Sequence, residues 1–172
     1  IYDAVVSRVR DRVAAIVMGD PLDPRSQMGP INSKSHYQRV MHYVQAGKDD
    51  GARLLHGGCR PLGKAFEKGY WLEPTVFSDV TMDMRIAKEE IFGPVLSILR
   101  WRDEDEAVAM ANATEYGLSA AIWTNDLKAA IKMGRKIDCG YVWINTVGSH
   151  FLGTPFGGSK NSGVGREECL SE

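Results

Sequence analysis

Hydrophobic residues recur at helical spacing at the start of the chain. Val5, Val9 and Val13 share one face, with charged residues largely opposite, which predicts a helix over residues 1–18. Residues 21–30 are polar and contain three prolines, so they predict a loop. The first thirty residues are therefore expected to form one amphipathic helix followed by an irregular connection.

A second amphipathic helix is predicted to begin at Asn32 or Ser33, either of which can act as its N-cap. Its apolar stripe consists of Tyr37, Val40, Met41 and Val44. The helical pattern fades over residues 47–51, which begin and end with glycine. The next segments are a short strand, an irregular loop and an extended stretch in which Pro74 marks an edge or a bend: residues 53–56, 59–69 and 70–77.

Strands and helices alternate in the later part of the sequence. Mostly apolar stretches predict strands over residues 95–101, 119–124 and 140–145. A helix from the capping box of Asp103 and Glu106 to Thr114, with Gly117 as C-cap, separates the first two strands. A helix capped by Asn125 or Asp126 and ending near Ile137 separates the last two.

This alternation predicts an α/β fold, in which the three strands lie side by side in a mostly parallel sheet covered by helices on both faces. Residues 1–172 are expected to form one domain. Ligands in such sheets bind beyond the carboxyl ends of the strands, so the segment after Asn145 is expected to lie near a site.

Composition excludes several classes of function. The net charge is −1, which predicts no binding to nucleic acid or to an anionic membrane, and no apolar run reaches 18 residues. The three cysteines, Cys59, Cys139 and Cys169, are far apart, so neither a disulfide framework nor a metal site is expected. A reducing, cytoplasmic setting is the default expectation. The start without Met and the abrupt end lead us to expect a piece of a longer protein.

Two segments could carry chemistry. Glu89 and Glu90 precede a Gly-Pro turn, and a carboxylate there could accept hydrogen bonds from a sugar diol, although composition alone favours a solvated turn. Six glycines in residues 148–165 indicate tight turns and close backbone approach, or simply a surface loop. This stretch has neither a phosphate-loop motif nor a dinucleotide fingerprint. His150 lies within it and is the histidine of most interest.

Several motifs together resemble the aldehyde dehydrogenase superfamily. Residues 86–95 resemble its glutamate-phenylalanine cofactor motif, and Asn145 followed by residues 155–163 resembles its late glycine-rich signature. Shorter matches occur at residues 29–30, 69–77 and 116–120. The resemblance covers essentially the whole chain and identifies it with the C-terminal part of the catalytic domain.

The resemblance implies roles for individual residues. Glu90 matches the glutamate that holds the nicotinamide-ribose hydroxyls, and Phe92 matches the aromatic residue beside that ribose. Arg39 and His36 match positions of polar side chains near the cofactor. The residues matching the aldehyde tunnel and its rim are Val147, Gly148, Ser149, His150, Phe151 and Phe156. The implied cofactor is NAD, with NADP as the alternative, the implied substrate is a small-molecule aldehyde, and the parent protein is expected to be a homodimer or homotetramer.

The family mechanism uses groups that the resemblance places before Ile1: the cysteine nucleophile, the general base and the cofactor domain. A thiolate attacks the aldehyde, and the resulting thioester is hydrolysed to the acid. We expect none of the resident cysteines to substitute, because Cys139 begins a strand, Cys59 lies in a variable loop, and two glutamates precede Cys169. The 172 residues alone are therefore expected to be inactive. The alternative is a naturally short, noncatalytic relative that acts as a binding or structural module.

Overall fold

The computed structural model describes residues 1–170. The chain forms two compact units, Ile1–Arg100 and a second that begins at Trp101. The expectation of one domain over residues 1–172 stays a prediction. Within the described residues, none of the helices has the length and apolarity needed to cross a bilayer.

The first unit is built around a three-stranded sheet. Its elements are α1 (Tyr2–Ala14), α2 (Lys34–Asp49), β1 (Arg53–His56), a 3-10 helix (Lys64–Phe66), β2 (Thr75–Val80), α3 (Arg85–Lys88) and β3 (Val95–Leu99). Strand β2 lies in the middle, antiparallel to β1 and parallel to β3. Pro74 directly precedes β2, so its missing N–H removes no hydrogen bond within the strand.

Helix α2 supplies much of the first core. Its N-cap is Ser33, whose side chain accepts a hydrogen bond from the backbone N–H of His36 at 3.2 Å. Val40 and Val44 of the predicted stripe are almost fully buried, together with Phe77 of β2. The helical pattern therefore located the buried face of this element correctly.

Helix α1 is shorter than predicted, because it ends at Ala14 and Met18 forms a bridge with Met28. None of its residues is buried, so its valine stripe is not part of the first core. The start of the helix is instead attached by Tyr2, whose hydroxyl accepts a hydrogen bond from the backbone N–H of Asp79 at 2.9 Å.

The second unit contains the predicted β–α–β pattern. Its elements are α4 (Glu104–Asn112), β4 (Tyr116–Gly117), β5 (Ser119–Ile122), α5 (Leu127–Lys136), β6 (Tyr141–Ile144) and β7 (Ser159–Lys160). Strands β5 and β6 are parallel and joined through α5, whose N-cap is Asp126. Strands β4 and β7 form a separate antiparallel pair.

Two expectations about this part of the sequence need correction. We expected the strands near residues 95–101, 119–124 and 140–145 to lie side by side, but β3 pairs with β2, whereas β5 and β6 form a separate sheet. The expected C-cap, Gly117, lies instead in β4. A Cβ there would come within 2.6 Å of the carbonyl oxygen of Asp138, so close backbone approach explains this glycine. The parallel pairs β2–β3 and β5–β6 nevertheless confirm the α/β fold class.

Candidate functional site

The turn after α3 presents two neighbouring glutamates in different states. The Glu89 carboxylate accepts hydrogen bonds from Arg85 Nε at 2.8 Å and from the Tyr43 hydroxyl at 2.8 Å. These bonds, the one from Arg85 foremost, lower the pKa of Glu89 to about 2. Glu90 is exposed, and its carboxylate makes no hydrogen bond or ion pair with any residue from 1 to 170. Only the second glutamate therefore has both oxygens available to a ligand.

Helix α2 holds the backbone of this turn. Arg39 donates a hydrogen bond to the backbone carbonyl of Glu90 at 2.9 Å, and His36 Nε2 lies 2.6 Å from the carbonyl oxygen of Phe92. A carbonyl oxygen can only accept, so His36 Nε2 must carry the proton. The structure thus brings together the four residues expected to bind the cofactor. The sequence did not indicate that His36 and Arg39 contact the backbone of this turn and thereby position it.

Phe92 occupies an unusual backbone conformation with an exposed ring. Its φ of +55° lies in the left-handed region, which is sparsely populated by residues other than glycine. Its side chain is 70% exposed, and its ring meets that of His36 edge-on, with centroids 6.1 Å apart. The hydrogen bond from His36 to the Phe92 carbonyl helps to hold this conformation.

A pocket of about 440 Å³ lies beside this turn in the first unit. His36 and Phe92 line it together with Gly29 and Gly93, whereas Glu90 and Arg39 are not among its lining residues. The aromatic half of the expected cofactor site therefore faces a glycine-lined concavity. The Glu90 carboxylate lies outside the lining of that pocket.

His150 lies in an aromatic cluster in the second unit. Its Nδ1 is 2.8 Å from Oε1 of Glu168, and its side chain is about two-fifths exposed. Its ring centroid is 4.4 Å from that of Phe156, and the ring is nearly parallel to that of Tyr141. The sequence did not indicate Glu168 as a partner, because no spacing rule connects residues eighteen positions apart in a loop.

Hydrogen bonds hold the loop that carries the expected tunnel residues. Trp143 Nε1 donates to the carbonyl of Ser149 at 2.7 Å, and the N–H of Gly153 donates to the carbonyl of Glu168 at 2.7 Å. Val147 and Phe151 keep 64% and 58% of their surface exposed. The loop is therefore an ordered segment with exposed apolar side chains between its attachment points.

Close backbone approach is confirmed where the glycines cluster. A Cβ on Gly140, just before β6, would lie 1.6 Å from the carbonyl oxygen of Gly157. A Cβ on Gly157 would lie 2.4 Å from the carbonyl oxygen of Gly165, and one on Gly158 would lie 2.7 Å from the backbone of Ser162. No side chain fits these positions, so the stretch is more than a flexible surface loop.

Two of the three cysteines have features that disfavour a thiolate. Cys59 is exposed, but partial desolvation raises the pKa of its thiol, and a hydrogen bond to Glu73 raises it further. Burial also raises the pKa of Cys139, which is half-buried. A nucleophilic cysteine needs the opposite shift. These shifts agree with the expectation that neither cysteine is a nucleophile, and the expectation for Cys169 stays a prediction.

Parallel strand pairs associated with helices place the chain among α/β proteins. The sequence model of the aldehyde dehydrogenase family matches residues 1–171, and the chain belongs to this family. The betaine aldehyde dehydrogenase of Sinorhizobium fredii is 48% identical over 171 residues, which cover 99% of this chain and 35% of the relative. The aldehyde dehydrogenase tropH of Talaromyces stipitatus is 44% identical, over all of this chain and 35% of the relative.

Solved structures show the same similarity. An aldehyde dehydrogenase from Mycobacterium tuberculosis, complexed with NAD+, is 44% identical with a TM-score of 0.93, over 99% of this chain and 35% of that one. Betaine aldehyde dehydrogenase from Staphylococcus aureus, in complex with NAD+, is 36% identical with a TM-score of 0.93, over 98% and 34%. The chain thus spans about a third of the length of these relatives.

Proposed function

We propose that this chain is the later part of the catalytic domain of an NAD(P)-dependent aldehyde dehydrogenase. The whole protein would oxidise an aldehyde to a carboxylic acid through a cysteine-bound thiohemiacetal and thioester. Within it, this chain contributes contacts to the nicotinamide ribose and part of the substrate tunnel. Family membership supports the proposal, as do the NAD+ complexes of the relatives from Mycobacterium tuberculosis and Staphylococcus aureus.

The unpaired carboxylate of Glu90 is the observation that carries the cofactor role. Adjacent ribose hydroxyls present two donors, and a carboxylate with both oxygens free can accept from both. Glu89 is unsuited to this task, because Arg85 and Tyr43 already occupy its oxygens. The two ribose hydroxyls can therefore donate hydrogen bonds to Glu90 but not to Glu89.

The residues around Glu90 act by positioning. Arg39 and His36 hold the carbonyls of Glu90 and Phe92, so the two side chains project from a backbone fixed before any ligand binds. The exposed ring of Phe92 offers an apolar surface to a flat, apolar part of a cofactor. A nicotinamide cofactor bound there would supply the hydride acceptor that the oxidation needs.

The loop after β6 supplies the proposed part of the aldehyde tunnel. Val147 and Phe151 present exposed apolar side chains. Gly148, which has a φ of +76°, lies between Val147 and Ser149 and contributes no side chain to this surface. Phe156 packs against His150 at the other end of the loop. An apolar surface with a few polar groups is typical of small-molecule sites.

Replacing Glu90 by glutamine in the full-length protein tests the cofactor role. The variant loses the charge that strengthens two hydrogen bonds, so we expect the Kd for NAD+ to rise about 10- to 100-fold by titration calorimetry. Glu67→Gln is the matched control, because Glu67 is also an exposed glutamate in the first unit. Unchanged NAD+ affinity and unchanged turnover in Glu90→Gln would reject the role.

A further inference from the structure

The pair formed by His150 and Glu168 fixes the hydrogen-bonding character of the imidazole. Nδ1 lies 2.8 and 3.0 Å from the two oxygens of the Glu168 carboxylate. An ionised carboxylate can only accept, so Nδ1 must carry a proton. In the neutral ring, Nε2 then presents a lone pair, and it has no hydrogen-bond partner among residues 1–170. The structure thus leaves one oriented acceptor in the loop.

The ring of His150 is also held in place from its sides. Phe156 packs at 4.4 Å between ring centroids, and Tyr141 stacks at 6.2 Å with an interplanar angle of 15°. The backbone before the ring is fixed by the hydrogen bond from Trp143 to Ser149. An acceptor whose rotamer is already fixed loses little entropy when a donor binds to it, so its hydrogen bond can discriminate between ligands.

We propose that His150, oriented by Glu168, selects aldehydes whose chain carries a hydroxyl group or another hydrogen-bond donor. This inference rests on the proposed function, in which the loop of Val147 to Phe151 lines the aldehyde tunnel. The donor of the substrate bonds to Nε2 of His150. Glu168 is a positioning residue, since it acts only through the ring. A substrate of the same size without a donor leaves Nε2 desolvated and unpaired in the tunnel.

The test compares size-matched aldehydes in the full-length enzyme. The probes are 3-(hydroxymethyl)benzaldehyde against 3-ethylbenzaldehyde and 4-(hydroxymethyl)benzaldehyde against 4-ethylbenzaldehyde, assayed with NAD+ and NADP+ at about pH 8.5, well above the pKa of free imidazole. We expect kcat/KM to favour the hydroxyl member of at least one pair by about 3- to 10-fold, the range of one net hydrogen bond. The difference should lie mainly in KM, since the contact is remote from the reacting carbon.

Variants then assign the preference to the two residues. His150→Phe keeps a ring of similar shape without Nε2, and the hydroxyl-to-methyl ratio of kcat/KM should fall to about one. Glu168→Leu keeps the imidazole but removes the hydrogen bond that orients it, so it should also lower this ratio. This second variant keeps the test valid if His150→Phe does not fold. Glu168→Gln retains an oxygen acceptor for Nδ1 and should restore most of the preference. Glu67→Gln is the control and should leave the ratio unchanged.

The outcomes separate the two proposals. Oxidation of the panel with no preference for the hydroxyl member, or a preference that survives in His150→Phe, overturns the role of His150 and leaves the proposed function standing. Failure to oxidise any member with either cofactor overturns the proposed function, and the role of His150 with it. Loss of the ratio in His150→Phe together with its recovery in Glu168→Gln supports the inference.

Discussion

Glu89 and Glu90 are adjacent, yet Glu89 is bonded to Arg85 and Tyr43 while the Glu90 carboxylate has no partner among the described residues. The sequence motif pointed to Glu90 only through resemblance, because the chemistry of the two side chains is identical. The spacing of Arg85 and Glu89, four positions apart, was a signal that the first glutamate is paired. The contribution of Tyr43 comes from a distant helix and could not be predicted from local sequence.

Gly140 allows a prediction at the scale of one residue. We expect Gly140→Ala to lower the free energy of unfolding by about 1–3 kcal/mol or more, because the new Cβ would overlap the carbonyl oxygen of Gly157. Gly134→Ala is the matched control, since its Cβ would have 3.8 Å of clearance within α5 and alanine favours a helix. Urea denaturation measures both. Equal stability of the two variants would refute the close-approach explanation.

Local patterns predicted the individual elements better than the pairing between them. The capping signals at Ser33, Asp103 and Asp126 all proved to be helix N-caps, because a cap needs only one side chain and the next backbone N–H groups. The partner of β3 was not predicted, because it is β2, a strand that the sequence suggested only as an extended stretch near an edge. Strand pairing depends on contacts between distant parts of the chain, which no local pattern encodes.

The hydrogen bonds from Arg85 and Tyr43 to the Glu89 carboxylate make the stability of the folded protein depend on pH. The pKa of Glu89 is lowered from 4.5 to about 2 in the folded protein, so its contribution is complete above about pH 4.5 and is lost as the pH falls towards 2. Glu89→Gln should therefore lower the urea midpoint at neutral pH, and the difference from the wild type should shrink as the pH falls through this window. The control Glu67→Gln should leave the urea midpoint unchanged. A difference that stays constant down to pH 2 would contradict the role of the ion pair.

At the scale of the whole molecule, the proposed function implies that these 172 residues are not sufficient for catalysis. We expect the isolated chain to oxidise no aldehyde, to bind NAD+ weakly, and to self-associate through exposed apolar side chains such as Trp123, Leu127 and Phe92. Assays with purified chain and sedimentation velocity check these expectations. Measurable turnover, or a monodisperse monomer at high concentration, would count against them.

Intact mass distinguishes the proposed parent enzyme from the alternative of a short binding or structural module. A native product near 19.0 kDa would support the short module. A product of several hundred residues would support the larger enzyme, as the coverage of about a third of each relative leads us to expect.

The central claim is that the free carboxylate of Glu90 binds the hydroxyls of the nicotinamide ribose. The most direct test measures the affinity of wild-type and Glu90→Gln full-length protein for NAD+ and for an analogue lacking the 3′-hydroxyl of that ribose. We predict that removing the hydroxyl weakens binding to the wild type by about 10-fold and weakens binding to the variant much less, since the two changes remove one shared interaction. Equal loss of affinity in both proteins would contradict the claim.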